Sequence, residues 1–161
     1  MRWRTDLIGV IARLLVGGVW VVAGAIKLPD PAGNVRSVRA YQILPEAVVP
    51  PLGHALPIVE VLVGACLLLG VLTRLFAVVS AVMLTAFVVG IASVWARGLS
   101  IECGCFGGGG GVAGDPRPAY AREIARDVGL LLLSLWLVLR PRTPLALDNV
   151  LLPEPQHSLA S

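Results

Sequence analysis

Two cysteines separated by one glycine, Cys103-Gly104-Cys105, stand between Glu102 and Phe106 and are followed by a glycine run from Gly107 to Gly111. They are the only reactive side chains that neighbouring positions bring within bonding reach of each other. Residues two apart have Cα atoms roughly 7 Å apart when extended and less when bent, whereas a disulfide wants about 4.4–6.8 Å. A bent backbone therefore closes the bridge, and Gly104 supplies the backbone angles that so tight a ring demands. Such a ring is strained, and strained disulfides are the more oxidising and labile ones. A structural staple explains the pair less well, because a loop of one residue takes almost no entropy from the unfolded chain.

The chemistry expected of this pair is thiol–disulfide exchange through a mixed disulfide. Glu102 works against a thiolate beside it, so local dipoles or an arginine must compensate. Two other readings stay open. In one, the chain is a membrane protein that handles Cu or Zn: two thiolates fall short of a four-ligand zinc site, His54 in or near the outer loop adds a ligand, and Cu(I) accepts fewer, softer ones. In the other, the chain is a membrane scaffold for a soluble redox enzyme and the cysteines are incidental. No resident metal is assigned.

The elements that must position this pair are apolar and long. Of 161 residues, 57% are hydrophobic and 14% charged, and apolar runs of about 20 residues point to membrane helices. The net charge of +3 comes from scattered basic residues with no dense stripe, so nucleic-acid binding is not indicated. Arginine supplies nearly all of the basic side chains, Lys27 being the exception. With the abundance of Ala, Gly, Val and Leu, that composition suggests a bacterium with a GC-rich genome.

Four spans are expected, at about 7–28, 56–72, 75–95 and 119–139, forming one antiparallel all-α bundle over residues 1–142 with a peripheral or disordered tail at 143–161. A cleaved signal peptide competes for the first stretch, since Val22-Ala23-Gly24-Ala25 resembles a cleavage site; the full apolar length favours a span. Between the first two spans the segment from Asp30 to about Leu52 is proline-rich. Residues 35–44 fit a short amphipathic surface helix, which Pro45, Pro50 and Pro51 should end. Only Thr73-Arg74 separates the second and third spans, which requires a hairpin. Ala77, Ala81, Thr85, Ala86 and Gly90 place small residues four apart on the third, a spacing that lets helices approach closely.

Charged residues inside these runs are functional candidates, because charge in a bilayer is costly unless paired or facing water. Glu60 lies about a turn and a half into the second span, at the depth expected for Lys27 on an antiparallel neighbour. An ion pair and a site role are both open for them. Arg13 fits snorkelling to the headgroups, and Cys66 a small buried hydrophobe. On the fourth helix, Glu123/Asp127 and Arg122/Arg126 repeat like charges four apart, which is unfavourable on an isolated helix and calls for opposite charges from elsewhere.

Four spans put both termini on one side and the cysteine loop on the other. Arginines crowd the leader, the hairpin and the stop at Arg140-Pro141-Arg142, where loops are short, favouring cytoplasmic termini. The Cys103/Cys105 loop is then extracytoplasmic, in the compartment where disulfides persist.

Several pieces, taken in order, resemble the MauE branch of the DoxX-like membrane proteins. They are Gly24-Ala25-Ile26-Lys27-Leu28 with Asp30-Pro31, Tyr41-Gln42-Ile43-Leu44-Pro45, Pro57-Ile58-Val59-Glu60 with Gly64 and Leu67-Leu68-Leu69-Gly70, Cys103-Gly104-Cys105-Phe106-Gly107, and Arg126-Asp127. The resemblance covers roughly residues 8–139. It implies a four-helix protein of the bacterial plasma membrane, linked to maturation of the disulfide-rich methylamine dehydrogenase small subunit beside a thioredoxin-like partner. Cys103 and Cys105 would be the exchanging pair, with Glu60 and Lys27 as intramembrane positions of that family type. The chain has no second extracytoplasmic cysteine pair of the kind found in four-cysteine quinone-linked relays. Electrons must therefore pass to a partner carrying its own Cys-x-x-Cys or to a bound quinone. The expected partners are an extracytoplasmic thioredoxin-like protein or a disulfide-containing substrate protein, and the lipid membrane.

Overall fold

The structure, a computed structural model, describes residues 2–101, 115–141 and 146–147. Its elements are five helices: α1 (Arg2–Lys27), α2 (Pro31–Ala40), α3 (Val49–Leu69), α4 (Thr73–Ala96) and α5 (Arg117–Leu139). Three stretches, Leu7–Lys27, Val49–Leu69 and Thr73–Ala96, are long and apolar enough to cross a membrane. The fourth expected span, α5, matches them in length at 23 residues but is less apolar, since Arg122, Glu123, Arg126 and Asp127 occupy its first half.

The second long helix begins at Val49, not near Leu56, and ends at Leu69. Pro50 and Pro51 open it, because a missing N–H costs nothing in the first turn and a fixed φ suits a helix start. Pro57 is tolerated inside it, where the residue four back is Gly53. Gly70 closes the helix in a left-handed conformation, φ 69°, which a side chain would disfavour. The amphipathic helix expected over 35–44 is α2, shifted earlier to Pro31–Ala40: Asp30 caps it by accepting from the Gly33 N–H at 2.8 Å, and Pro31 starts it.

α1 and α3 run antiparallel with their backbones in contact. A Cβ on Gly64 would lie 2.7 Å from both the Gly17 carbonyl oxygen and the Val21 nitrogen, and one on Gly24 would lie 2.7 Å from the Pro57 carbonyl oxygen. α4 and α5 form the second antiparallel pair, and α1 also lies against α5. Trp20, Val63, Leu67, Ala77, Leu84 and Leu137 build the shared core. A buried polar stitch crosses it: the Trp20 indole N–H donates to Ser80 Oγ at 2.7 Å, and Ser80 and Ser134 hydroxyls lie 3.0 Å apart. These contacts tie α1, α4 and α5 at one level and satisfy polar groups that apolar surroundings would otherwise penalise.

Each end of the bundle is fastened. Where α4 finishes and α5 starts, the buried Tyr120 hydroxyl accepts the Ile101 N–H at 2.9 Å and faces the carbonyls of Leu99 and Ile101 at 2.8 and 3.0 Å. At the other end, Leu147 donates its N–H to the Leu69 carbonyl at 3.3 Å, and Ala146 is buried over Gly70 near the Arg13 guanidinium. Arg13 itself is buried.

Candidate functional site

Charge converges in the interior around the end of α1. Lys27 is the last residue of α1, and its carbonyl is held by the Asn34 side-chain amide at 2.8 Å. The break between α1 and α2 thus fixes the lysine backbone, and its side chain turns inward. Its Nζ donates to Glu60 Oε1 at 2.6 Å, and the two side chains are 5% and 0% exposed. The same ammonium lies 5.8 Å from the centroid of the Phe87 ring, a cation–π distance. Glu60 stands eleven residues into α3, three turns and ~16 Å from its start, because the helix begins earlier than its prolines suggest.

A second charged cluster comes from α5. Arg126 donates to Asp127 Oδ1 from Nε at 2.9 Å and Nη2 at 2.7 Å, and its Nη1 lies 2.6 Å from Glu123 Oε2. The like-charge repeats on this helix are relieved from within: one arginine serves the acid three residues before it and the acid just after it. Asp127 is 1% exposed. Lys27, Glu60, Arg126 and Asp127 border one small cavity together with Trp20 and Phe87. Glu60 Oε2 and Asp127 Oδ2 are buried with no hydrogen-bond partner among the described residues, so each retains an unused acceptor. Lys27 and Arg126 face the carboxylates of Glu60 and Asp127 there, and Arg126 is shared with Glu123 as well. A group of this kind can hold a structure together or hand a proton between its members.

The sequence singles out Lys27 and Glu60, and they meet. Asp127 and Arg126 complete the group although their repeat reads as repulsion; the signal was the one- and three-residue spacing around Arg126. Cys103 and Cys105, with Glu102 and the glycine run, lie outside the described residues. The segment leading to them is fixed at Ile101, and Arg97 adds a hydrogen bond to the Tyr41 carbonyl oxygen. Cys66 is a half-buried free thiol in α3. His54 is exposed, with Nδ1 2.6 Å from the Pro50 carbonyl oxygen, and no three His, Cys, Asp or Glu side chains cluster among the described residues.

Helices of membrane-crossing length around a paired, buried charge define an α-helical membrane protein. Residues 5–140 match the family described as Methylamine utilisation protein MauE, and the chain belongs to that family. No curated protein and no solved structure matches the chain.

Proposed function

We propose that this protein is a membrane thiol–disulfide oxidoreductase or redox subunit acting through Cys103 and Cys105. The observation that carries the reading is the match to the MauE family over residues 5–140, a stretch that includes the Cys-Gly-Cys sequence. The fixed Ile101, two residues before Cys103, supports it by giving the pair a rigid point of departure. In the exchange, a thiolate of one protein attacks a sulfur of a disulfide on the other, the S–S bond breaks, and the displaced sulfur leaves as thiolate. The neighbouring cysteine then attacks the mixed disulfide and releases the partner. The partner is an extracytoplasmic thioredoxin-like protein or a disulfide-containing substrate, in keeping with the methylamine-utilisation name of the family.

The arrangement we propose is one domain over residues 1–142 with four spans, α1, α3, α4 and α5, cytoplasmic termini and an extracytoplasmic Cys103/Cys105 loop, in a bacterial plasma membrane. Support for α5 as a span comes from its length and from the internal pairing of Arg126 with Glu123 and Asp127, which lowers the cost of carrying them into lipid. Single Cys103→Ser and Cys105→Ser variants test the function. One of them should accumulate a mixed disulfide with an exported protein, visible as a reducible band; no such adduct from either variant overturns the proposal.

A further inference from the structure

The charged group around the end of α1 does not balance. Lys27 from α1 and Arg126 from α5 supply two positive charges, while Glu60 from α3 and Glu123 and Asp127 from α5 supply three negative ones when all are ionised. α4 adds only the uncharged Leu84 and Phe87 to the small cavity that Lys27, Glu60, Arg126 and Asp127 border. An uncompensated charge is costly in apolar surroundings, and a bound cation removes it.

Two oxygen atoms are placed to receive that cation. Glu60 Oε1 is taken by Lys27 and Asp127 Oδ1 by Arg126, whereas Glu60 Oε2 and Asp127 Oδ2 are buried with no hydrogen-bond partner among the described residues. Buried acceptors call for donors. The apolar wall has none to spare, because the Trp20 indole N–H goes to Ser80 Oγ at 2.7 Å.

The room selects the cation. The cavity measures about 20 Å³, enough for one water molecule, which needs ~10–15 Å³ or more. A hard metal ion such as Ca²⁺ or Mg²⁺ takes about six or more oxygen ligands. Here two carboxylate oxygens are on offer, beside an ammonium and a guanidinium that repel a metal. A proton needs neither the ligands nor the space.

We infer that Glu60 and Asp127 share one exchangeable proton at neutral pH, held across a cavity that takes a single water. With that proton the group is neutral. Whichever carboxyl carries it donates to the water, and the water donates to the other carboxylate. The water also accepts from Lys27, whose ammonium has two protons besides the one given to Glu60. Passing the proton across breaks an O–H bond on one carboxyl and makes one on the other, so atoms and charge are conserved. Exchange with the medium enters by Arg126 and Glu123, whose side chains are 25% and 17% exposed. The proton site is independent of the thiol exchange proposed above.

The test is infrared difference spectroscopy of the full-length protein in lipid nanodiscs, between neutral and alkaline pH, in H₂O and in D₂O. The parent should show a protonated-carboxyl band at neutral pH that shifts on deuteration and disappears at alkaline pH. Glu60→Gln and Asp127→Asn should each lose it, since either removes one negative charge, while the exposed Glu46→Gln should keep it. Glu123→Gln removes a charge without touching the cavity, and should release the proton at a pH lower by about one unit or more. Thermal melts establish that the variants are folded, and the spectrum of the parent decides even if one is not. Absence of the band from the parent, a band unchanged in both Glu60→Gln and Asp127→Asn, or an unmoved titration in Glu123→Gln overturns the inference. So does loss of the band when sodium chloride replaces choline chloride at constant pH and ionic strength, which would make the occupant a metal cation.

Discussion

Lys27 Nζ and Glu60 Oε1 are 2.6 Å apart, joining the last residue of α1 to the middle of α3 across 33 positions of sequence, with both side chains buried. The pair fastens one helix to another where neither charge has bulk water to fall back on. Removing one partner strands the other, which is the costly case, whereas replacing both by apolar groups is often tolerated.

Lys27→Met should therefore destabilise the protein by about 3 kcal/mol or more, and Lys27→Met combined with Glu60→Leu by less than Lys27→Met alone. Denaturation of the parent, of the Lys27→Met and Glu60→Leu single variants and of the double variant in the same detergent, analysed as a double-mutant cycle, reads the difference.

The contact of α1 with α3 separates two glycines one position apart. A Cβ on Gly17 would come 2.9 Å from the Gly64 carbonyl oxygen, while one on Gly18 meets nothing within 4 Å. Gly17→Ala should cost about 1–3 kcal/mol by forcing the backbones apart. Gly18→Ala should be neutral or stabilising by up to ~1 kcal/mol through helix propensity. Thermal melts of the two variants check the contrast.

Tyr120→Phe removes the hydroxyl to which the Ile101 N–H donates. Leaving that buried donor unpaired should cost about 1–3 kcal/mol, and the segment before Cys103 should loosen. Hydrogen exchange at Ile101 should rise sharply, with exchange in the middle of α4 little changed.

Arg39 hydrogen-bonds Glu46 outside the long helices and holds that carboxyl below its usual range, the hydrogen bond being the main cause. A depressed folded-state pKa gives stability that is present above the unfolded value, about 4.3, and is lost as the pH falls through the folded one. Glu46→Gln should thus lower stability slightly at pH 7, less so in high salt because the pair is exposed. The variant and the parent should converge as the pH falls below the unfolded value and on through the lowered folded one, as paired melts along an acid series would show.

How legible was this in the sequence? Lys27 and Glu60 were visible because a charge in an apolar run stands out, and the pairing followed from antiparallel neighbours. Arg126 is harder: it sits in an evident charge cluster whose four-residue spacing reads as repulsion to be relieved from elsewhere, whereas the relief comes from the one- and three-residue spacings within α5. The start of α3 was misplaced because Pro50 and Pro51 look the same whether they end one helix or begin another. The small-residue spacing stands out on α4, yet Gly17, Gly24 and Gly64 bring the backbones of α1 and α3 within reach of each other. That choice depends on which helices become neighbours, and spacing within one helix does not encode it. The cavity beside Glu60 and Asp127 likewise arises from how two helix pairs meet.

The most direct measurement of the exchange chemistry is labelling of Cys103 and Cys105 in intact cells with a membrane-impermeant maleimide, using a Cys66→Ser background to silence the third thiol. Both cysteines should be unreactive at first and should both react after an impermeant reductant, without permeabilisation. Labelling that appears only once the membrane is breached, or that is identical with and without reductant, would contradict an extracytoplasmic pair that makes and breaks its own bond.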